Sequence, residues 1–226
     1  PGVLAPGLND SGNIGVITPL PASYWVYGVN EQLVVGASLN APFGLTTNAD
    51  NWFGSPHGDK SAVATYTFTP SASYRLSDMF SIGAGIQVQY MSVDINSRTP
   101  AGVEFFEAEG DAIDFGFTAG LLFEPTDSTD IGIGFRSSIS HKLKGDATIA
   151  GAFDGDITAK FKSPETVTIG IRQELGEDFR LMAGAEWANW SRFKELDIRS
   201  AATGTTIGLT PEEWDDSWFV SVGGEY

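Results

Sequence analysis

Charged side chains recur at alternate positions in the second half of the chain. The set comprises Arg136, Lys142, Arg172, Glu186 and Arg192, with Lys144 and Lys194 in the same pattern. Because alternate residues of a strand share one face, the spacing predicts that these charges point into the lumen of a barrel. A cation there could pair with the carboxylate of a ligand. The alternative is a charge ladder that solvates the lumen.

Paired aromatic residues lie in two segments that should face water. Trp52 and Phe53 lie in the polar stretch 44–59, and Phe105 and Phe106 lie in the stretch 97–110. Exposed apolar groups of this kind often mark a binding surface. We expect these four residues to capture a hydrophobic ligand, with packing of the loops on each other as the alternative.

Residues suited to catalysis or metal binding are sparse. His57 and His141 are the two histidines, and neither has a nucleophile beside it in a recognisable arrangement. The acids of segments 127–130 and 154–156 are too few to complete a calcium loop, so we interpret them as turn residues. The sequence predicts no enzyme, no cofactor and no metal site.

Strictly alternating segments make up much of the chain. In 80–90, 113–123 and 131–136 every second residue is mostly apolar, and most of the residues between are small or polar. This period predicts that each of these segments is a strand with one apolar and one polar face along the length of the segment. We expect nine strands, at 22–29, 32–43, 60–76, 79–96, 111–124, 129–147, 156–175, 178–197 and 214–226. Several exceed the roughly 3 to 10 residues that are usual in globular proteins.

The connections between these strands are of two kinds. Those near residues 30, 77, 126 and 176 are short and rich in turn formers, whereas 44–59, 97–110, 148–155 and 198–213 are longer. Alternate connections of an antiparallel barrel lie at opposite ends, and outer-membrane barrels have short turns at one end and long loops at the other. Two aromatic groups fit the two membrane interfaces. One group is Tyr74, Phe80, Phe123 and Phe179, and the other is Tyr90, Trp187, Phe193 and Trp218.

Composition narrows the class further. The net charge of -16 argues against nucleic acid as a partner, because phosphate binding needs clustered Lys and Arg. The chain has no cysteine and no run of the roughly 18 apolar residues that a membrane helix requires. The predicted fold is all-β, a transmembrane antiparallel up-and-down β-barrel in a single domain over residues 1–226.

A proline interrupts the second predicted strand. Pro42 follows Asn40 and Ala41 and precedes Phe43 and Gly44. Since proline cannot donate a ladder hydrogen bond, the segment predicts a kink or bulge in the wall. The alternative is an ordinary strand end at the loop.

Several segments resemble the FadL-like transporters of the Gram-negative outer membrane. They are 36–45 (GASLNAPFGL), 70–76 (PSASYRL), 81–85 (SIGAG), 135–145 (FRSSISHKLKG) and 190–196 (WSRFKEL), and they occur in the family's order. The resemblance implies a fourteen-stranded barrel with an N-terminal hatch, of which this chain would hold about strands two to ten. The hatch and the last strands are then expected to be missing from the chain.

The resemblance also implies a function and a route. The family takes up long-chain fatty acids or other hydrophobic small molecules passively, through a lumen pocket and a lateral wall opening. Residues 40–44 match the stretch that carries this opening. The implied partners are the hydrophobic ligand, outer-membrane lipid and lipopolysaccharide. A general diffusion porin or structural barrel is the alternative, and a soluble acidic β protein that binds carbohydrate is a third hypothesis.

Overall fold

The computed structural model describes residues 12–49, 52, 54–99 and 103–226. The strands in this part of the chain are β1 (Ala22–Gly28), β2 (Leu33–Asn40), β3 (Gly44–Asn48), β4 (Lys60–Ser77), β5 (Phe80–Arg98), β6 (Glu104–Thr126), β7 (Thr129–Arg136), β8 (Ser140–Ile149), β9 (Phe153–Lys162), β10 (Thr166–Leu175), β11 (Phe179–Ala188), β12 (Glu195–Ser200), β13 (Thr206–Pro211) and β14 (Ser217–Glu225). A 3₁₀ turn lies at Trp190–Arg192. Within the described residues, no helix has the length and apolar character to cross a membrane.

Nine of these strands form one antiparallel wall. Their order is β1-β2-β4-β5-β6-β7-β10-β11-β14, and each pairs with its neighbours in an antiparallel ladder. β1 and β14 are the two edges, so the described residues form an open sheet. The prediction of an all-β antiparallel structure is confirmed.

The outer face of the wall is apolar and exposed. Register places Leu121 opposite both Ile82 and Ile133, and Ile133 opposite Ile169. Phe115 on the same face is 66% exposed. Glycine, threonine, serine and glutamine occupy much of the inner face. A continuous exposed apolar band on an antiparallel sheet is typical of a wall that faces lipid.

A second region continues from the wall at the end opposite the short turns. We call it the loop-end sheet, and it comprises β8, β9, β12, β13 and residues 104–112 of β6. Its inner face packs around an apolar core that the ends of β4 and β5 complete. The buried members of this core are Met91, Ala108, Ala112, Leu143, Ala147, Ile157, Ala159 and Ile198.

The two faces exchange polarity where the wall meets the loop-end sheet. On β6 the outward residues change from Glu109 and Asp111 to Ile113 and Phe115. On β5 the inward residues change from Gln89 to Met91 and Val93 in the same plane. The predicted alternating segments 80–90 and 113–123 keep one apolar face along their length, and the exchange lies just beyond them in the longer strands β5 and β6.

Three predicted strands are each divided into two. Segment 129–147 breaks at residues 137–139, where the Ser163 hydroxyl accepts the Ile139 N–H at 2.9 Å. Segment 156–175 breaks at 163–165, where Pro164 lacks an N–H. Segment 178–197 breaks at the 3₁₀ turn. The predicted loops 97–110 and 198–213 in turn contain strand residues, because hairpins of the loop-end sheet occupy them.

The short turns lie where the sequence predicts them. In the β1–β2 turn the Asn30 Oδ1 accepts the N–H groups of Gln32 at 2.9 Å and Leu33 at 2.7 Å. In the β10–β11 turn Gly176 has φ +74°, a conformation that favours glycine. These side-chain and glycine turns set the register of the strands that they join.

Candidate ligand-binding site

The wall is interrupted between β2 and β3. Both strands pair with β4, with Asn40 opposite Thr67 and Gly44 opposite Ala64. Between these two pairs the chain that joins β2 to β3 advances four residues, whereas β4 advances three. One extra residue on one side of a ladder is the geometry of a bulge. The Thr65 hydroxyl accepts the Phe43 N–H at 2.9 Å and donates to the Phe43 carbonyl at 2.6 Å. The expected kink at residues 40–44 is thus an irregularity within the ladder rather than a simple strand end.

A cavity of about 330 Å³ opens beside this interruption. Its lining includes Pro42, Phe43, Thr118, Arg136, Thr168 and Glu186. This volume lies at the small end of the range of about 300–1,000 Å³ that is usual for ligand pockets. The cavity combines the apolar edge of the wall interruption with polar side chains from β6, β7, β10 and β11.

Arg136 is the cation of this cavity. It ends β7 opposite Thr118 on one side and Thr166 on the other. Among the described residues it forms no ion pair, although the Glu186 carboxylate is near enough to attract its charge. Glu186 in turn accepts a hydrogen bond from the Thr168 hydroxyl at 3.0 Å. The Arg136 guanidinium therefore keeps donors available for an anionic group.

An aromatic path begins at the wall interruption. The ring of Phe43 lies 5.6 Å from Trp190, which lies 5.0 Å from Trp214. Phe193 lies 5.2 Å from Trp214 and 5.0 Å from Phe161. We name these five residues the aromatic path. Sequence reasoning missed it as a unit, although the density of aromatics in 187–193 was a signal.

A buried polar layer separates the inner face of the wall from the core of the loop-end sheet. His141 Nε2 lies 2.8 Å from Gln89 Oε1, and Gln89 Nε2 donates to the Thr67 hydroxyl at 2.6 Å. His141 Nδ1 lies 3.4 Å from the Asp114 carboxylate. Burial lowers the pKa of His141, and the charge of Asp114 opposes this shift. The neutral imidazole therefore takes part in the layer at neutral pH.

The predicted charge ladder does not form as a unit. Lys142 and its neighbour Lys144 are exposed on the outer face, while His141 and Leu143 are buried, so the expectation that these two lysines face the lumen is wrong. The break at residues 137–139 shifts the alternation by one position, and even-numbered residues point outwards after it.

The other predicted lumen charges occupy separate positions. Arg172 forms an ion pair with Asp130 on the neighbouring strand. Arg192 lies in the 3₁₀ turn and pairs with Glu165 at 2.6 Å. Asn189 also donates a hydrogen bond to Glu165. Burial acts to raise the pKa of the Glu165 carboxyl, but the hydrogen bonds from Asn189 and Arg192 outweigh burial and the pKa is lowered. Of the predicted set, Arg136 and Glu186 alone line the cavity at the interruption.

The four predicted capture aromatics have different surroundings. The Trp52 indole N–H donates to the Gly58 carbonyl at 3.0 Å, and its ring covers Gly54. Phe105 is exposed, whereas Phe106 packs against the loop-end core. Phe53 lies outside the described residues. Trp52 and Phe106 therefore contribute to packing of the loop-end structure.

Comparison with known proteins identifies the family. Residues 2–226 match the profile of the outer membrane protein transport protein family (OMPP1/FadL/TodX). A 47 kDa outer membrane protein of Pasteurella multocida is 26% identical over 95% of this chain and 58% of its own length. The long-chain fatty acid transport protein of Escherichia coli O6:H1 is 22% identical, again over 95% and 58%. The chain thus spans less than two thirds of these relatives.

Solved structures share the fold. A Pseudomonas aeruginosa FadL homologue superposes with a TM-score of 0.89 at 25% identity, over 99% of this chain and 60% of that one. The Ralstonia pickettii toluene transporter TbuX superposes with a TM-score of 0.75 at 19% identity, over 90% and 64%. The open wall corresponds to part of these outer-membrane barrels. The chain belongs to the OMPP1/FadL/TodX family of outer membrane transport proteins.

Proposed function

We propose that the protein takes up long-chain fatty acids or other hydrophobic small molecules passively across the Gram-negative outer membrane. The observation that carries the proposal is the wall interruption at residues 41–43, which borders a cavity with one unpaired cation. Relatives support the substrate class, because the Escherichia coli protein is named for long-chain fatty acids and TbuX for toluene.

The aromatic path supplies the apolar side of the route. Its exposed member is Trp214, which lies in the middle of the path and is 41% exposed, and one of its two ends is Phe43 in the interruption. Aromatic rings bind alkyl chains and aromatic molecules by the same burial of apolar surface. A ligand that leaves water can thus remain against apolar rings until it reaches the wall. Phe105, which is exposed, would add apolar contacts at the rim, and a role for Phe53 stays a prediction from the sequence.

Arg136 supplies the polar side of the route. A fatty acid carboxylate in the cavity accepts hydrogen bonds from its guanidinium while the alkyl chain lies against Phe43 and Pro42. Glu186 limits the strength of this pairing, since the two carboxylates compete for one cation. A passive carrier needs a site that also releases its ligand, and this competition favours release.

The wall interruption supplies the exit to lipid. Pro42 offers no N–H to the ladder, and Thr65 satisfies the backbone of Phe43 with its own side chain. An opening at this point would therefore leave the N–H and carbonyl of Phe43 hydrogen-bonded in the apolar environment. The ligand would pass from the cavity to the bilayer beside residues 41–43.

Deletion of Pro42 in the full-length protein tests this route. The deletion makes β2 and β3 advance as many residues as β4, so the ladder can continue and the gap should close. We expect uptake of radiolabelled oleate by whole cells to fall at least about tenfold, while the purified protein still binds oleate. The matched control is Pro42→Ala, which keeps the extra residue and should keep most of the uptake.

The outcomes separate the alternatives. Unchanged uptake in the deletion variant, with a normally folded barrel, would exclude a wall exit at this position. A wild-type protein that conducts ions freely in planar bilayers and shows no saturable oleate binding would favour the general diffusion porin.

A further inference from the structure

Lysines are concentrated on one face of one hairpin. The chain has six lysines, and four of them are Lys142, Lys144, Lys160 and Lys162 on β8 and β9. All four are exposed, and Lys142 lies directly opposite Lys160 in the ladder. We name these four residues the lysine patch. Within the described part of the chain, none of them forms an ion pair, whereas six of the other cations do.

A cluster of unpaired cations is unusual in a chain whose net charge is -16. Like charges directly opposite each other in a ladder are destabilising. The same face becomes acidic towards the hairpin tip, where Asp146 lies opposite Asp156. The positive charge is therefore confined to the base of the hairpin rather than spread over its surface.

The base of the hairpin lies at the boundary of the lipid-facing band. Lys144 lies opposite Asp111 of β6 in the ladder, and the next outward residue of β6 is the exposed Ile113. The backbone N–H of Lys142 donates to the Asp114 carboxylate at 3.2 Å, which fixes β8 at this height. One residue along a strand is about 3.3 Å, so the lysine patch lies within a few residues of the apolar band.

A groove of about 560 Å³ runs along this face. Lys142, Lys144 and Lys160 line it together with Arg199, Asp197 and Glu195. Asp197 accepts hydrogen bonds from Arg199 at 2.6 Å and from Thr206 at 3.0 Å. Among the residues that line the groove, the four cations therefore outnumber the two carboxylates, those of Asp197 and Glu195.

We propose that the lysine patch binds the phosphate groups of the anionic glycolipid that forms the outer leaflet of the outer membrane. Lysine binds phosphate as a point charge, and its long apolar stem lets the ammonium reach the headgroup level from a position near the hydrocarbon. The positive charge of the lysine patch favours a phosphate ligand, and its position beside the lipid-facing band favours a phosphate that belongs to a membrane lipid. Transport along the aromatic path does not depend on this contact.

The test uses the full-length protein in an uncharged detergent without divalent cations. The probes are bisphosphorylated lipid A, the same glycolipid with its phosphates removed, and inorganic phosphate. The variant is Lys142→Gln with Lys160→Gln, and the control is Arg75→Gln, which removes an exposed cation near the short turns. Each lysine near an anionic surface contributes a factor of about five to affinity, so the double variant should bind phosphorylated lipid A about 25-fold more weakly.

The expected result has three parts. The wild-type protein and the Arg75 control bind phosphorylated lipid A equally, the dephosphorylated glycolipid binds as weakly as the double variant does, and inorganic phosphate competes only at much higher concentration. Equal affinity of the double variant and the wild type overturns the proposal. Full competition by inorganic phosphate at matched concentration also overturns it, since the patch would then be a free-anion site. Oleate uptake measured on the same variants should not change, which keeps this test separate from that of the transport function.

Discussion

The wall and the loop-end sheet use the same strands in two different environments. β5 and β6 run through both regions without a break, and side chains keep their alternation throughout. In the wall the outward residues are apolar and the inward residues are small or polar. In the loop-end sheet the inward residues form an apolar core, and the outward residues of β6 are acidic.

This difference shows what the surroundings of each face require. Lipid favours apolar groups on the outer face of the wall, while much of the inner face of the open wall carries small or polar residues. Water favours charges on the outer face of the loop-end sheet, and the apolar residues of its inner face pack together in the core. The exchange of polarity therefore marks the height at which the outside changes from lipid to water.

Close packing in the loop-end sheet predicts the largest difference between the regions. A Cβ on Gly145 would collide with the backbone of Glu109 and Gly110, whereas a Cβ on Gly132 in the wall would meet nothing within 4 Å. Gly145→Ala should destabilise the β6–β8 pairing by about 4 kcal/mol, at the upper end of single-residue effects. Hydrogen exchange of the β8 amides measures it. Gly132→Ala is the control and should leave exchange unchanged, and equal protection in both variants would contradict the comparison.

The outer face gives the second difference. Phe115→Arg places a charge in the lipid-facing band and should cost about 2–4 kcal/mol in the free energy of unfolding. Glu109 lies on the same face of β6 but in the loop-end sheet, opposite Asp146. Glu109→Arg should change stability by no more than about 0.5 kcal/mol. Urea unfolding of the protein from lipid vesicles measures both. Equal costs at the two positions would place the lipid boundary elsewhere.

Strand period and turn residues predicted the wall well. Alternation in 80–90 and 113–123, with turn formers between strands, was enough to place the antiparallel order and most wall strands. The period alone could not show where the outside changes from lipid to water, because Glu109 and Phe115 obey the same alternation. It also could not show the division of 129–147, since the Ser163 contact that replaces the ladder at Ile139 comes from a distant segment.

The candidate site was predictable only in part. Pro42 identified the wall interruption, because a missing N–H is a local property of the sequence. The cavity depends on which strands become neighbours, and Arg136 and Glu186 meet only through the pairing of β7, β10 and β11. The aromatic path depends on the 3₁₀ turn that brings Trp190 towards Phe43. The outward direction of Lys142 follows from a phase shift that no local pattern reveals.

The ion pairs of the wall should give the smallest effect. Arg172 pairs with Asp130 across β7 and β10, and half of the Arg172 side chain is exposed. An exposed pair gains little Coulomb energy in water and loses side-chain entropy, so Arg172→Gln should cost no more than about 1 kcal/mol. Unfolding in urea at low and high salt measures it, and the difference from wild type should shrink as salt rises. A cost that is large and independent of salt would mean that the lumen at this height is dry, and the inner face of the wall would then resemble the loop-end core rather than differ from it.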